Sequence, residues 1–255
     1  MIVPDWPAPT NVHARCSTRS GGRSLPPYDS LNLGDHVGDD AQHVAANRLT
    51  FATALGARPL FLKQVHGMHP CELRAETTDG IEADGSVTTQ RGLACTIMAA
   101  DCLPVLFCDA QGTAVAAAHA GWRGLAGEGG TGILEAVLEH FWRLTGTGHK
   151  HVAATTMAWL GPCIGPAAFE VGIEVKVAFE AHDPDAGHCF MKRGDGKWLA
   201  DLQALARRRL RAMGIRQIHG NDGSLEWCTA RNPSNFFSHR RDRVAGRFAA
   251  SVWLG

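Results

Sequence analysis

The order of apolar and polar positions divides the chain into short strand-like runs separated by turn formers, with a few helical stretches between them. Leu93 to Ala99, Leu103 to Cys108 and Thr113 to Ala118 are near-continuous apolar runs of strand length. Asp109-Ala110-Gln111-Gly112 between the last two has turn chemistry, which predicts a β-hairpin. If Cys108 pairs with Thr113, Cys102 lies directly across from His119 on one face, with Cβ atoms roughly 5 Å apart. A two-residue loop preserves this pairing, whereas an odd-numbered loop sends the two side chains to opposite faces. Ala114, Ala116 and Ala118 alternate along the second run and leave a smooth face for a helix.

Helical patterns occupy the intervals. Asp39 or Asp40 caps a helix through about Leu55, with Val44, Ala45, Leu49 and Phe51 or Ala52 as its buried stripe and Gly56 as its stop. Thr131 to Leu144 carries Ile133, Leu134, Val137, Leu138, Phe141 and Leu144 at helical spacing and ends at Gly146. Further helices are expected at about Gly172 to Ala181 and Leu199 to Met213. The second buries Leu202, Leu205, Ala206 and Leu210 and turns Arg207-Arg208-Arg209 to solvent. Strands are expected within Leu60 to Val65, Ile81 to Thr88 with a turn at Asp84-Gly85, Val152 to Leu160, Ile215 to His219, Glu226 to Thr229 and Arg247 to Leu254. Strands and helices that alternate in clusters predict a mixed α/β class with antiparallel pairing.

Composition narrows the functional classes. Twenty-five basic and 25 acidic side chains cancel, so the chain lacks the basic footprint that nucleic acid or an anionic membrane surface demands. The N-terminal residues have neither a basic region nor an apolar core of signal-peptide length, and no run approaches membrane-spanning length, so a soluble cytoplasmic protein is expected. Eight scattered cysteines without a Cys-x-x-Cys pair read as reduced thiols, not as a disulfide framework. Among them Cys102 stands out, because a thiolate opposite an imidazole can share a metal ion or act as nucleophile and base. His66, beside Gly67 at the end of a strand-like run, reads either as a turn residue or as a ligand.

Several stretches taken in order closely resemble the YfiH-like family, also called the laccase-domain or purine nucleoside phosphorylase/polyphenol oxidase family. They are Thr18-Arg19-Ser20-Gly21-Gly22, Leu31-Asn32-Leu33-Gly34, Asn47-Arg48, Lys63-Gln64-Val65-His66-Gly67 and Ala83-Asp84-Gly85. Ala100-Asp101-Cys102-Leu103-Pro104-Val105, His119-Ala120-Gly121-Trp122-Arg123-Gly124, Gly161-Pro162 with Phe169-Glu170-Val171-Gly172, and Ser238-His239-Arg240-Arg241-Asp242 with Gly246-Arg247 follow. The resemblance covers nearly the whole chain and implies one domain over residues 1–255, a four-layer α/β/β/α sandwich of mixed sheets. It also implies a metal and catalytic site on His66, Cys102 and His119.

Three such donors leave a fourth position for water or substrate, the pattern of a catalytic zinc site. The ligands lie 36 and 17 residues apart, so the fold, not a local knuckle, must bring them together. Asn32, Arg48, Arg240 and Arg241 are candidates for binding nucleoside and phosphate, since arginine offers paired donors to oxyanions and asparagine can hydrogen-bond ribose or base. Asp101 is a candidate for orienting a ligand. The resemblance implies zinc-dependent phosphorolysis of adenosine, inosine or methylthioadenosine, with deamination of adenosine at the same centre. The alternatives are a copper polyphenol oxidase, although His149-Lys150-His151 is the only His-x-His, and a cysteine-type hydrolase editing peptidoglycan precursors.

Overall fold

In the computed structural model, which describes residues 1–146 and 153–255, two mixed sheets lie face to face with helices outside each. The first sheet has the order β1-β13-β5-β2, built from β1 (Val12–Cys16), β13 (Phe248–Leu254), β5 (Leu93–Ala99) and β2 (Arg58–Phe61). The second runs β12-β8-β6-β7-β4-β3, from β12 (Gln217–Gly220), β8 (Thr156–Leu160), β6 (Leu103–Asp109), β7 (Val115–Ala120), β4 (Gly85–Thr88) and β3 (Pro70–Glu72). A small sheet, β10-β11-β9, combines β10 (Phe190–Lys192), β11 (Trp198–Ala200) and β9 (Glu170–Val171). The fold is the four-layer mixed α/β arrangement. Among the described residues no helix is long and apolar enough to cross a membrane.

Strand alternation explains the layering. On β6 and β7, Leu106, Cys108, Val115 and Ala117 point between the sheets, where they meet Leu60, Cys95, Ile97, Phe248 and Val252. Their neighbours Val105, Phe107, Ala116 and Ala118 face outwards and pack on Ile133, Leu134, Val137 and Phe141 of α2 (Ile133–Thr145). The alanine stripe is indeed the seat of a helix. Gly85 serves the same approach, since a Cβ there would come within 2.3 Å of Val137 Cγ2. On the far side α1 (Ala41–Leu55) covers the first sheet with Phe51 and Leu55 against Phe61, Ala94 and Met98. Each such fully buried Phe or Leu contributes about 1.5–3 kcal/mol.

Several expectations need correction. The hairpin pairs Cys108 with Val115, not Thr113, and His119 with Pro104, not Cys102. The cause is Asp109, whose carboxylate accepts hydrogen bonds from the backbone N–H groups of Gln111, Thr113 and Ala114 and so lengthens the loop. The slip is by an even number, and His119 keeps the face that looks between the sheets. In α1 the buried stripe is Val44, Asn47, Phe51 and Leu55, while Ala45 and Leu49 are exposed. Asn47 tolerates burial because its amide donates to Ser24, Ser30 and Asn32 and accepts from Arg23 N–H. Asp40 is the N-cap and Gly56 the left-handed C-cap.

The arginine run on α3 (Leu202–Ala212) is not a solvated face. Arg207 donates to the Ile218 and Asn221 carbonyls, Arg208 pairs with Asp183, and Arg209 joins Glu135 and the Ala126 and Gly130 carbonyls. Glu226 to Thr229 forms a 3₁₀ turn over Leu225–Trp227 and a single bridge at Cys228, because Cys163 alone pairs with it. Asp84-Gly85 is no turn, since Gly85 opens β4. Val152 and His149-Lys150-His151 lie outside the described residues.

Candidate metal centre

Three connections converge at one open end of the space between the sheets. His119 comes from the end of β7, Cys102 from the bend preceding β6, and His66 from the loop following β2. Their donor atoms all lie within 4.8 Å of one another. Cys102 Sγ stands 3.7 Å from His66 Nε2, and the two imidazole rings are 4.8 Å apart between centroids. His119 is buried, Cys102 half-buried and His66 exposed, so the set opens outwards at His66. Gly121 makes the approach feasible: a Cβ at that position would lie 3.0 Å from both Cys102 Sγ and His66 Cδ2.

Asp84 is the hub that organises the trio, and sequence reasoning assigned it no part. Its Oδ1 meets His119 Nδ1 at 2.8 Å, leaving Nε2 as that ring's free donor atom. The same carboxylate accepts the backbone N–H groups of Val65, His66 and Gly67 at 3.1, 2.9 and 2.7 Å. These bonds hold His66 in the left-handed region, at φ 62°, a conformation costly for a residue with a Cβ. Gln64 adds a second clamp, its side chain accepting from Met98 N–H and donating to Met98 C=O on β5.

Electrostatics fit a metal-binding thiolate. Burial pushes the Cys102 thiol up, but the adjacent His119 and His66 outweigh it and bring the pKa well below the ordinary thiol value. For His119 burial acts downwards and is overcome by the Cys102 thiolate and by Asp84, so the ring is shifted up. Asp84 is pushed up by burial and pulled further down by His119 and the loop N–H groups, which keeps it ionised. A thiolate and two imidazoles, with a carboxylate behind one imidazole, are a donor set that could hold a metal ion and leave a coordination position open. Among the described residues this is the one group of three or more His, Cys, Asp or Glu placed to hold an ion.

The trio lines a cleft of about 400 Å³ whose other walls include His36, Met98, Ile164, Phe169, His239, Arg240 and Arg247. Of the residues expected to contact substrate, Arg240 reaches this cleft and three others do not. Asn32 is fully buried and bonded to Gly34, Asp39 and the Arg247 backbone. Arg48 lines a separate groove, stacked over Phe61 and paired with Asp35. Arg241 donates to the Thr229 and Phe236 carbonyls and to Asp242.

Asp101 touches none of the trio through its carboxylate; it accepts from Thr229 Oγ1 and the Arg240 N–H, each at 2.6 Å, and so positions the Arg240 segment. His36 and Arg247 were missed as cleft residues. The Gly246-Arg247 motif was the available signal for the second.

Comparison with known proteins agrees with this architecture. Residues 13–255 match the family model described as multi-copper polyphenol oxidoreductase laccase. The chain is 48% identical over 256 residues to purine nucleoside phosphorylase YfiH of Escherichia coli K12, covering 100% of this chain and 98% of the relative. It is 47% identical over 254 residues to purine nucleoside phosphorylase PA4543 of Pseudomonas aeruginosa, covering 99% and 98%. The crystal structure of Neisseria meningitidis protein NMB0706 superposes with a TM-score of 0.90 at 43% identity, over 99% of this chain and 98% of that one. That of a Bacillus licheniformis hypothetical protein YfiH gives 0.86 at 31% identity, over 96% and 93%.

Proposed function

Because the chain belongs to the laccase-domain, YfiH-like family, we propose that it is a zinc-dependent purine nucleoside phosphorylase. The observation that carries this reading is the His66, Cys102 and His119 donor set opening onto a nucleoside-sized cleft, in a chain whose relatives are named for that reaction. Phosphate displaces the purine of adenosine, inosine or methylthioadenosine: a C1′–O bond forms, the C1′–N9 bond breaks, and the base leaves with a proton to give ribose 1-phosphate or its methylthio analogue. Zinc held by the three donors would supply a Lewis acid that polarises substrate oxygens and lowers the pKa of water.

The chain's own residues bind and orient. Asp84 fixes the His119 tautomer and the His66 loop, so the donors need no rearrangement when substrate arrives. Phe169, Ile164 and Met98 offer an apolar wall suited to a purine face. Deamination of adenosine, in which water adds at C6 and ammonia leaves, is the second activity of this reading.

The two alternatives have less support. A multi-copper oxidase needs several histidine clusters, whereas the described residues offer one donor group. A thiolate hydrolase would need Cys102 free to attack, and a sulfur bound to metal is not free. The test is to incubate the full chain, loaded with zinc, with adenosine and phosphate beside a Cys102→Ala variant. Adenine and ribose 1-phosphate from the wild type, with purine release at background and metal lost in the variant, is the expected result. Equal turnover by both overturns the reading.

A further inference from the structure

One wall of the cleft carries two guanidinium groups that, among the described residues, make no ion pair with a carboxylate. They belong to Arg247 and Arg240; His239 and His36, the latter 3.5 Å from Asp35 Oδ1, also line the cleft. Arg247 is partly buried, and its Nη1 donates to the Ala245 and Gly246 carbonyls at 2.8 and 3.1 Å. Among the described residues its Nε and Nη2 have no hydrogen-bond partner, and no carboxylate stands within ion-pair distance. Arg240 uses Nη1 on the Glu170 carbonyl and has no acidic partner among them either. Asp101, the acid in the cleft wall, already accepts from Thr229 Oγ1 with one oxygen and from the Arg240 N–H with the other. The contrast with Arg207, Arg208 and Arg209, whose guanidinium groups all find partners, is plain.

Holding a partly buried cation with no ion pair of its own costs free energy, which the nearby Cys102 and Asp101 charges offset in part, and the fold builds a socket for it. Asn32 Oδ1 accepts the Arg247 N–H at 2.8 Å, and Leu33 N–H donates to the Arg247 carbonyl at 3.0 Å. The aliphatic stem lies on Gly34, where a Cβ would come within 2.7 Å of Arg247 Cγ. Asn32 in turn is tied to Gly34 and Asp39. Asn32, expected to hydrogen-bond ribose or base, instead aims an arginine, with Leu33 and Gly34 completing its seat.

We propose that Arg247, set in the Asn32–Gly34 socket and assisted by Arg240, anchors a phosphate-binding subsite in the cleft that holds the metal centre. The ligand is a dianionic phosphate group, which a guanidinium fork recognises through paired N–H donors. It comes from free phosphate, the co-substrate of the phosphorylase reading on which this deepening rests, or from the 5′-phosphate of a nucleotide.

Three zinc-loaded full-length proteins decide the matter: wild type, Arg247→Met and Gly34→Ala, with zinc content confirming an intact trio in each. Binding of inorganic phosphate is read by phosphorus NMR line broadening, and binding of adenosine 5′-monophosphate and of adenosine is read by isothermal titration calorimetry. Both variants should weaken phosphate binding by about tenfold or more, the scale of a lost charge-assisted pair. Adenosine binding should stay within about twofold, as for an independent site. Loss for inorganic phosphate assigns the subsite to the free anion, and loss confined to the monophosphate assigns it to a nucleotide. Unchanged binding of both probes in Arg247→Met overturns the proposal. Should Gly34→Ala fail to fold, Arg247→Lys, which keeps the charge but not the fork, is expected to show a partial loss. A wild type that binds phosphate through Arg247 yet releases no purine removes the phosphorylase reading and leaves the subsite standing.

Discussion

Cys102 and Cys108 flank the same strand, one in the bend before β6 and the other near its end, and their surroundings drive the two thiols in opposite directions. At Cys108, burial between the sheets, reinforced by the neighbouring Asp109 carboxylate, pushes the pKa up to about 12. At Cys102 burial also pushes upwards, but His119 and His66 outweigh it and bring the value down to about 6. The difference lies in what replaces the lost water. Cys108 is packed in an apolar cluster with Leu60, Leu106 and Val115, and acts as a small apolar filler. Cys102 receives two imidazoles, so the same atom is drawn toward the thiolate, the form that can ligate a metal. Cysteine chemistry in this chain is therefore decided by neighbours that the fold imports, not by depth alone.

The largest expected effect separates the two thiols by reactivity. In metal-free protein at pH 7, about nine-tenths of Cys102 would be thiolate against about one part in 10⁵ of Cys108. Iodoacetamide labelling followed by peptide mass spectrometry should mark Cys102 about a hundredfold or more over Cys108, because the lower nucleophilicity of the less basic thiolate cancels about two to three of the five powers of ten. Because the thiolate is the reactive form, the Cys102 rate should be flat above pH 7 and fall as pH drops through about 6. A rate that keeps climbing to pH 9 would show an ordinary thiol and break the comparison. The next effect concerns the hub behind the donors. Asp84→Ala removes the partner of His119 Nδ1 and the acceptor of three loop N–H groups. Zinc affinity, measured by chelator competition, should fall about 10–100-fold, the usual cost of losing such a supporting group. Asp84→Asn, which keeps the size and loses the charge, should fall between. Undiminished affinity in Asp84→Ala would mean that the trio is positioned without it.

How much of this was legible in the sequence follows from the range of each interaction. Strand alternation placed Ala114, Ala116 and Ala118 together on the face that a helix covers, because side-chain parity depends only on local backbone geometry. The pairing register was missed, because an aspartate side chain took over N–H groups that a tight turn would have left to the partner strand. Cys102 and His119 were legible as a pair on one hairpin, whereas His66 entered only through family resemblance, since no local pattern joins a loop after β2 to that hairpin. Asp84 looked like half of a turn dipeptide. Arg247 and Asn32 are 215 residues apart, and nothing local in either stretch announces that one holds the other. Arg207 to Arg209 misled for the opposite reason: a helix face rich in charge looks solvated until distant carbonyls and carboxylates arrive to meet it.

The smallest effect tests the core side of the comparison. Cys108 is fully buried between the sheets and has Leu106, Val115 and Ala117 as cluster neighbours. Cys108→Ala removes one sulfur from that cluster, and the loss of its contacts, with partial collapse of the space left behind, should cost about 1 kcal/mol. In a chain of this length that corresponds to a fall in melting temperature of roughly 2–4 °C, measurable by differential scanning calorimetry. Zinc content and purine release should be those of the wild type, because the sulfur sits on the far end of β6 from the donors and makes no hydrogen bond to them. Cys108→Ser should cost more than Cys108→Ala, since a hydroxyl at that place must find an acceptor or stay unpaired in an apolar layer. If Cys108→Ala lowers zinc content as strongly as Asp84→Ala does, the two ends of β6 are coupled, and the separation between a filling thiol and a ligating one fails.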